Sequence, residues 1–372
     1  MKRFHHSLLS VLLLSVVLVA ACASPKAPVP ATAPAPTAGQ VPSAPQLTEE
    51  QQLYEAAKKE GELIIWTNTW QHGVIEKAFM EKYPGIKVTV WDGPTGAALV
   101  SQILEEAKAG KTSVDFLSAS AEDMPPLVEA GLLREYSWPN AQGFPGQPPH
   151  KFYLNHSVTT RAPIYNSRLV APAEVPRSWD ALKSQRWAGK SVLSTSGTDS
   201  TLMFAYMWRE GNKLAWEQAT KFWKDVRAVT RPQIASGFST NIDLLAAGEY
   251  DIFLLCSLGE VFIRKWKGAP VEIAPVGGKL PATARSVGIL KNAPHPAGAQ
   301  LFADFFTEAR TLASYSDAVA VLSLSPEARK ISKIAREFER AGLDVEVIPL
   351  EFATEQNLRE SVRLWREITS LR

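Results

Sequence analysis

The sequence predicts an α/β protein of two lobes, each a mainly parallel sheet flanked by helices. Three observations predict it. From Leu63 to Leu117 strand and helix signals alternate as β-α-β-α-β, the order that places helices across the connections between parallel strands. Setting aside a leader and an Ala/Pro-rich stretch leaves about 325 residues, more than one ordinary domain. The apolar fraction is 45% with 9% aromatics, enough to fill large cores.

The elements follow in order. Leu63 to Trp66 reads as a first strand, and Val74 to Tyr83 as an amphipathic helix closed by Pro84-Gly85. Ile86 to Trp91 alternates apolar and polar residues as a second strand. Gly96 to Ala109 is a helix, and Asp115 to Leu117 opens a third strand. Two prolines open a short helix over Met124 to Gly131. Trp138 to His150, rich in Pro and Gly, is a loop. Thr159 to Tyr165 and Ser191 to Leu193 are strands, with a helix opening at Ser178 to Leu182 between them. Helices follow at Leu202 to Glu210 and Leu214 to Val226. In the latter Trp216, Ala219, Phe222, Trp223 and Val226 recur at helical spacing. Ile242 to Ala247 precedes a buried strand, Asp251 to Cys256. Val271 to Pro275 and Val287 to Leu290 are further strands, and Ala297 to Phe306 is an apolar helix. Pro326 to Ala341 and Glu355 to Leu371 are closing helices.

The N-terminus reads as an export signal. Lys2 and Arg3 precede a run from Leu8 to Ala20 that is apolar except for Ser10 and Ser15. That run is shorter than the roughly 20 residues a bilayer needs and ends in small residues. Val19-Ala20-Ala21-Cys22 resembles the bacterial lipobox, which implies lipidation of Cys22 and cleavage before it. The competing reading is an ordinary signal peptide with Cys22 incidental. Residues 22–47 form an Ala/Pro-rich tether whose prolines favour extended backbone. About 25 such residues reach roughly 80 Å if fully extended. The expected location is therefore the cell envelope, outside the cytoplasm and tied to the membrane by lipid.

Composition excludes several function classes. There are 40 Lys and Arg against 38 Asp and Glu, so no basic excess points to nucleic acid. Cys256 is the only cysteine besides Cys22 and sits in the apolar run Ile252 to Cys256, where it reads as a small buried hydrophobe. Gly110-Lys111-Thr112 has Glu105 where a P-loop needs glycine. No Gly-x-Ser-x-Gly elbow and no His-Glu-x-x-His pair is present. The carboxylate pairs Glu105-Glu106 and Glu122-Asp123 read as ordinary helix surface. No catalytic set and no cofactor is expected.

Several segments together resemble one family. Leu53 to Leu63 followed by Tyr83-Pro84-Gly85-Ile86-Lys87-Val88 resembles its opening. Pro163-Ile164-Tyr165-Asn166 with Pro176-Arg177-Ser178-Trp179-Asp180-Ala181-Leu182 resembles its crossover. Gly288 to Pro296 before Phe302 resembles its return. The family is that of the solute-binding proteins of ABC importers, of the two-lobed type II periplasmic-binding-protein fold that includes ferric-iron-binding proteins. The resemblance implies lobes over 48–160 with 288–320 and over 161–287 with 321–372. It implies a cleft between them, closure on a small-molecule solute and delivery to an ABC permease, by a monomer. A ligand sensor feeding a membrane receptor would share this fold. The resemblance also implies that iron-binding members use a tyrosine pair after a second-lobe strand. Here that segment is Cys256-Ser257-Leu258-Gly259-Glu260, and Ser118-Ala119-Ser120 stands where an acidic ligand is expected. Serine and leucine do not suit Fe³⁺, and a small anion such as a phosphonate, phosphate ester or carboxylate is the expected solute. Ferric iron remains the alternative.

Ligands in open parallel sheets bind beyond the carboxyl ends of the strands. The candidates are therefore Thr69, Trp70 and His72 after the first strand, Thr95 and Gly96 after the second, and Ser118 and Ser120 after the third. Ser196, Gly197 and Thr198 precede a second-lobe helix, where small hydroxyl residues and free N–H groups suit an anion. Plain helix capping is the competing reading there. Asn241 lies in a third such loop. Trp70 reads as a stacking surface or as core, and His72 as a ligand contact or a solvated loop residue. Arg161 reads as an anion contact or as half of a structural ion pair. No resident metal is expected.

Overall fold

The computed structural model describes residues 47–67, 73–94 and 96–370. Cys22, the leader and the tether up to residue 46 lie outside these residues, as do Thr69, Trp70, His72 and Thr95. No helix among the described residues is long and apolar enough to cross a membrane.

The chain runs α1 (Glu49–Glu60), β1 (Glu62–Thr67), α2 (Gly73–Lys82), β2 (Lys87–Asp92), α3 (Ala97–Lys108), β3 (Phe116–Ser120), α4 (Met124–Glu129) and β4 (Tyr153–Asn166). It continues through β5 (Ser191–Ser194), α5 (Ser200–Met207), α6 (Trp216–Thr230), β6 (Gln233–Ala235), α7 (Ser239–Ala247), β7 (Ile252–Ser257), α8 (Leu258–Trp266) and β8 (Val271–Ile273). It closes with β9 (Lys279–Ile289), α9 (Pro296–Thr307), α10 (Ala309–Val319), β10 (Leu322–Ser323), α11 (Pro326–Ile331), α12 (Lys333–Arg340), β11 (Asp344–Val347) and α13 (Glu355–Ser370).

The strands follow one path, β2-β1-β3-β9-β4-β7-β5-β6. Its two ends are parallel, β2-β1-β3 and β7-β5-β6. The strands joining them, β9 and β4, run antiparallel to their neighbours on the path. The expected α/β architecture is present, with parallel sheets at the two ends and long antiparallel strands between them. These long strands exceed their predicted lengths: β4 begins at Tyr153 rather than Thr159, and β9 at Lys279 rather than Val287. Polar residues such as Asn155, His156, Ser157 and Arg285 break the apolar alternation there, yet the backbone still pairs. β4 exchanges partners midway. It pairs with β9 from Tyr153 to Thr160 and with β7 from Arg161 onward.

Local chemistry explains the ends of several elements. Thr48 and Gln51 form a capping box at α1, and Gly61 closes that helix in the left-handed region at φ 76°. The predicted helix Pro326 to Ala341 divides at Ser332, whose Oγ accepts from Ala335 N and starts α12. Ser178 to Leu182 is a 3₁₀ turn over Trp179–Lys183 rather than an α-helix. Helices α1, α8 and α10 were not predicted. The loop Trp138 to His150 carries no helix or strand, as expected.

Aromatic rings fill the cores. Phe79, Phe116, Phe302, Phe305 and Phe306 pack mostly edge to face near the first sheet. Phe204, Phe222, Trp223 and Trp365 do the same beneath the second. Cys256 is fully buried, as expected.

Candidate functional site

Arg161 marks the point where β4 leaves β9 for β7. Its guanidinium makes a 2.7 Å ion pair with Asp199. It also lies 3.2 Å from Met203 Sδ and 5.7 Å from the centroid of Phe238. The side chain is only 13% exposed, and its Nε has no hydrogen-bond partner. The ion-pair reading of Arg161 is therefore the one the structure shows. One face of the guanidinium holds a structural carboxylate, and one buried N–H is unspent.

The turn before α5 lies against this arginine. Gly197 adopts φ 78°, and a Cβ there would stand 2.8 Å from Arg161 Nε. Only glycine lets the backbone come so close. Ser200 N and Oγ both donate to Gly197 O. Helix α5 begins after Asp199, so Ser196, Gly197 and Thr198 form the turn leading into it rather than its first residues. Ser361 on α13 braces the turn by donating to Thr198 O and accepting from Leu202 N.

The Asn241 loop is stitched to the same turn. Gly237 N donates to Ser196 Oγ at 3.0 Å, and Ser194 Oγ donates to Gly237 O. Asn241 is buried, and its amide donates to the carbonyls of Ser236 and Gly237 at 2.8 Å. Both donor hydrogens of Asn241 are thus used in holding the loop.

The third-strand candidates sit inside the strand. Ser118 and Ser120 belong to β3 instead of following it. Ser118 is buried with no partner for its Oγ. Ser120 lies opposite Arg285 of β9. Beyond it a 3₁₀ turn over Ala121–Asp123 carries two carboxylates. Here the expectation of ordinary helix surface for Glu122-Asp123 is corrected. Asp123 is 6% exposed, and its Oδ2 has no partner. Burial pushes Asp123 up to about 6, against a backbone hydrogen bond at Ser120 and the charge of Arg285. Burial also pushes Glu122 up to about 7, helped by the like charges of Asp123 and Asp199 and opposed by Arg285. Glu122 is therefore within electrostatic reach of Asp199, across the chain from its own strand. Sequence reasoning missed Asp199, Glu122, Asp123 and Arg285. The first strand-to-helix turn after β5 ends in Asp199, which was the available signal.

Gly96 caps α3 at φ 60° with no side-chain hydrogen bond. Its neighbour Gly93 has a packing reason, since a Cβ there would stand 2.0 Å from Trp66 Nε1.

A model of the family described as bacterial extracellular solute-binding protein matches residues 45–312. The chain belongs to the bacterial extracellular solute-binding proteins. The family and the fold are those of binding proteins that work outside the cytoplasm, not of enzymes. A curated relative, the Fe(3+)-binding periplasmic protein of Serratia marcescens, is 27% identical over 205 residues, which are 53% of this chain and 57% of that protein. The fold is shared with iron-bound HitA from Pseudomonas aeruginosa, at a TM-score of 0.63 and 20% identity over 82% of this chain and 99% of that one. It is shared also with AfuA from Actinobacillus pleuropneumoniae holding fructose-6-phosphate, at a TM-score of 0.65 and 19% identity over 84% and 99%.

Proposed function

We propose that this solute-binding protein captures a small anion, such as a phosphonate, phosphate ester or carboxylate, and delivers it to an ABC permease. The observation that carries this is the largely covered Arg161 side chain, with a buried Nε lacking a partner, laid against the Ser196–Thr198 turn. Backbone N–H groups at the start of a helix add favourable potential for an anion. Lobes over 48–160 with 288–320 and over 161–287 with 321–372 would close on it, with β4 and β9 as the connecting strands. Closure is stabilised only as far as the solute binds the closed state better. AfuA, with its sugar phosphate, lends support by likeness of fold.

The relative from Serratia marcescens favours a second reading, ferric iron. Among the described residues no group of three His, Cys, Asp or Glu is set to hold a metal ion. The end of β7 is Ser257 followed by Leu258, which offers no phenolate, so the anion reading is preferred.

Calorimetry on the body from Thr48, with inorganic phosphate, sugar phosphates, alkylphosphonates, dicarboxylates and ferric citrate, separates the two. The expected result is binding of a phosphate or phosphonate, lost at least tenfold in Arg161→Gln. Binding of iron with no binding of any anion overturns the reading. Lipid attachment at Cys22 belongs to the same proposal. Cys22→Ser should move the protein from the membrane to the soluble fraction, and a variant that stays on the membrane refutes the anchor.

A further inference from the structure

A cavity of about 580 Å³ opens where the end of β4 meets the short strand β8. That volume falls within the range of small-molecule sites. Tyr165 on its wall stands four residues past Arg161 on β4, about 13 Å along an extended strand. Neither Arg161 nor the Ser196–Thr198 turn lines it. Tyr165 and Glu272 face each other across the β4-β8 ladder. Helix α8 contributes Lys265, and α12 contributes Glu337 and Arg340, one turn apart on a single face. The segment between Ser167 and Arg177 forms another side.

The charges that line this cavity do not cancel. Lys265 Nζ lies 2.6 Å from Glu272 Oε2, and Arg340 Nη1 lies 3.1 Å from Glu337 Oε1. Both carboxylates are thereby answered. The fifth charged group, Arg177, has no carboxylate partner among the described residues. Three cations therefore face two carboxylates. Tyr165 Oη and Ser167 Oγ also make no hydrogen bond among the described residues. Burial raises the Tyr165 phenol, with Glu272 adding to the rise and Arg177 opposing it, so it remains an O–H donor at neutral pH. Val170, Val175 and Ile273 line the same cavity, and Val170 is only 3% exposed. One unanswered guanidinium, two free hydroxyls and an apolar wall suit a single negative charge carried on a hydrocarbon body.

We propose that this cavity binds a small organic carboxylate, whose charge meets Arg177 and the hydroxyls of Tyr165 and Ser167 while its hydrocarbon part lies along Val170, Val175 and Ile273. The site is separate from the solute site proposed at Arg161 and does not depend on it. A phosphate dianion would exceed the one spare positive charge, whereas a carboxylate matches it and fits the guanidinium fork. A neutral analogue of the same shape leaves Arg177 unanswered, so charge sets the preference.

The test titrates benzoate and hexanoate, each beside its neutral amide, into the protein, with binding followed by NMR of the probe. At least one acid should bind five times more tightly than its amide or better. Arg177→Gln should cut that preference below twofold. Arg177 is exposed and unpaired, so the melting temperature should not change. Ala341→Phe fills the cavity from the end of α12 and should weaken the acid at least tenfold, with circular dichroism confirming the fold. Binding of neither acid, or a preference below fivefold for both, overturns the inference. So does a preference that persists in Arg177→Gln, or undiminished binding in a folded Ala341→Phe, because either places the probe elsewhere.

Discussion

Asp115 and Asp123 stand at opposite ends of one strand and have opposite fates. Asp115, just before β3, is fully buried and fully answered. It accepts from Ile64 N at 2.7 Å, His295 N at 2.6 Å and His295 Nδ1 at 2.8 Å. Asp123, just beyond β3, is almost as buried and keeps an oxygen without a donor. The first ties the return segment of the chain to the sheet. The second closes the far end of β3 with one oxygen unanswered. Burial alone therefore does not tell the two acids apart; hydrogen-bond completeness does.

The contrast can be broken most severely at Asp115. Asp115→Ala leaves two backbone N–H groups and an imidazole without their acceptor. The expected loss is about 3 kcal/mol of stability, given 1.5–3 for a hydrogen bond to a charged group and more for stranded partners. Urea unfolding measures it, and a loss below about 1 kcal/mol would mean that solvent replaces the carboxylate.

A smaller effect, with a pH signature, comes from His156. It is fully buried on β4, ringed by Phe306 and Tyr315 at 5.0 and 5.3 Å. Burial, with the charge of Arg285, lowers it to about 3. Above the unfolded value both states are neutral there and stability is unaffected. As pH falls below about 6.5 the unfolded chain takes up a proton that the folded chain refuses, so stability is lost progressively. His156→Phe should remove roughly 2 kcal/mol of the acid loss between pH 6.5 and 4.5. Equal slopes in wild type and variant, followed by denaturant midpoints over that range, would deny the histidine this role.

The smallest change sharpens the comparison from the other side. Asp123 is raised to about 6 in the folded protein. Its burial as a charge therefore costs nothing below about pH 4; the cost grows between about pH 4 and 6 and is level above that. Asp123→Asn should stabilise the solute-free protein at pH 7 by about 1 kcal/mol, and the gain should vanish near pH 4. Destabilisation at pH 7, read as a lower melting temperature, would make Asp123 a second Asp115.

Much of the fold was legible. The alternation from Leu63 to Leu117, the apolar runs of β7 and α9, and the stripe of α6 all stand within a few residues of their predicted places. Apolar periodicity is a local property, and these segments bury one face or both. The long strands β4 and β9 were under-read because their polar residues are covered by neighbours distant in sequence, Asn155, His156 and Ser157 fully and Arg285 in part. The candidate site was half legible. The Ser196–Thr198 turn came from the rule that ligands sit beyond strand ends, and Arg161 from its place on the crossover. Glu122 and Asp123 did not, since the exposure of a carboxylate pair on a short turn depends on what packs over it. Asn241 was a candidate in a third loop, and the fold uses its amide on two carbonyls.

By itself the sequence determined the class of protein. Strand and helix periods and the apolar content already specify an α/β protein, and the segment order resembles the solute-binding family, because each depends on residues close along the chain. Only the tertiary structure decided which charges meet. Arg161 meets Asp199 where β4 exchanges β9 for β7, and the Glu122-Asp123 turn comes near Arg285 because β3 lies beside β9. Electrostatic energy depends on distance and burial, and the chain acquires both only when its two parallel ends are joined through β4 and β9.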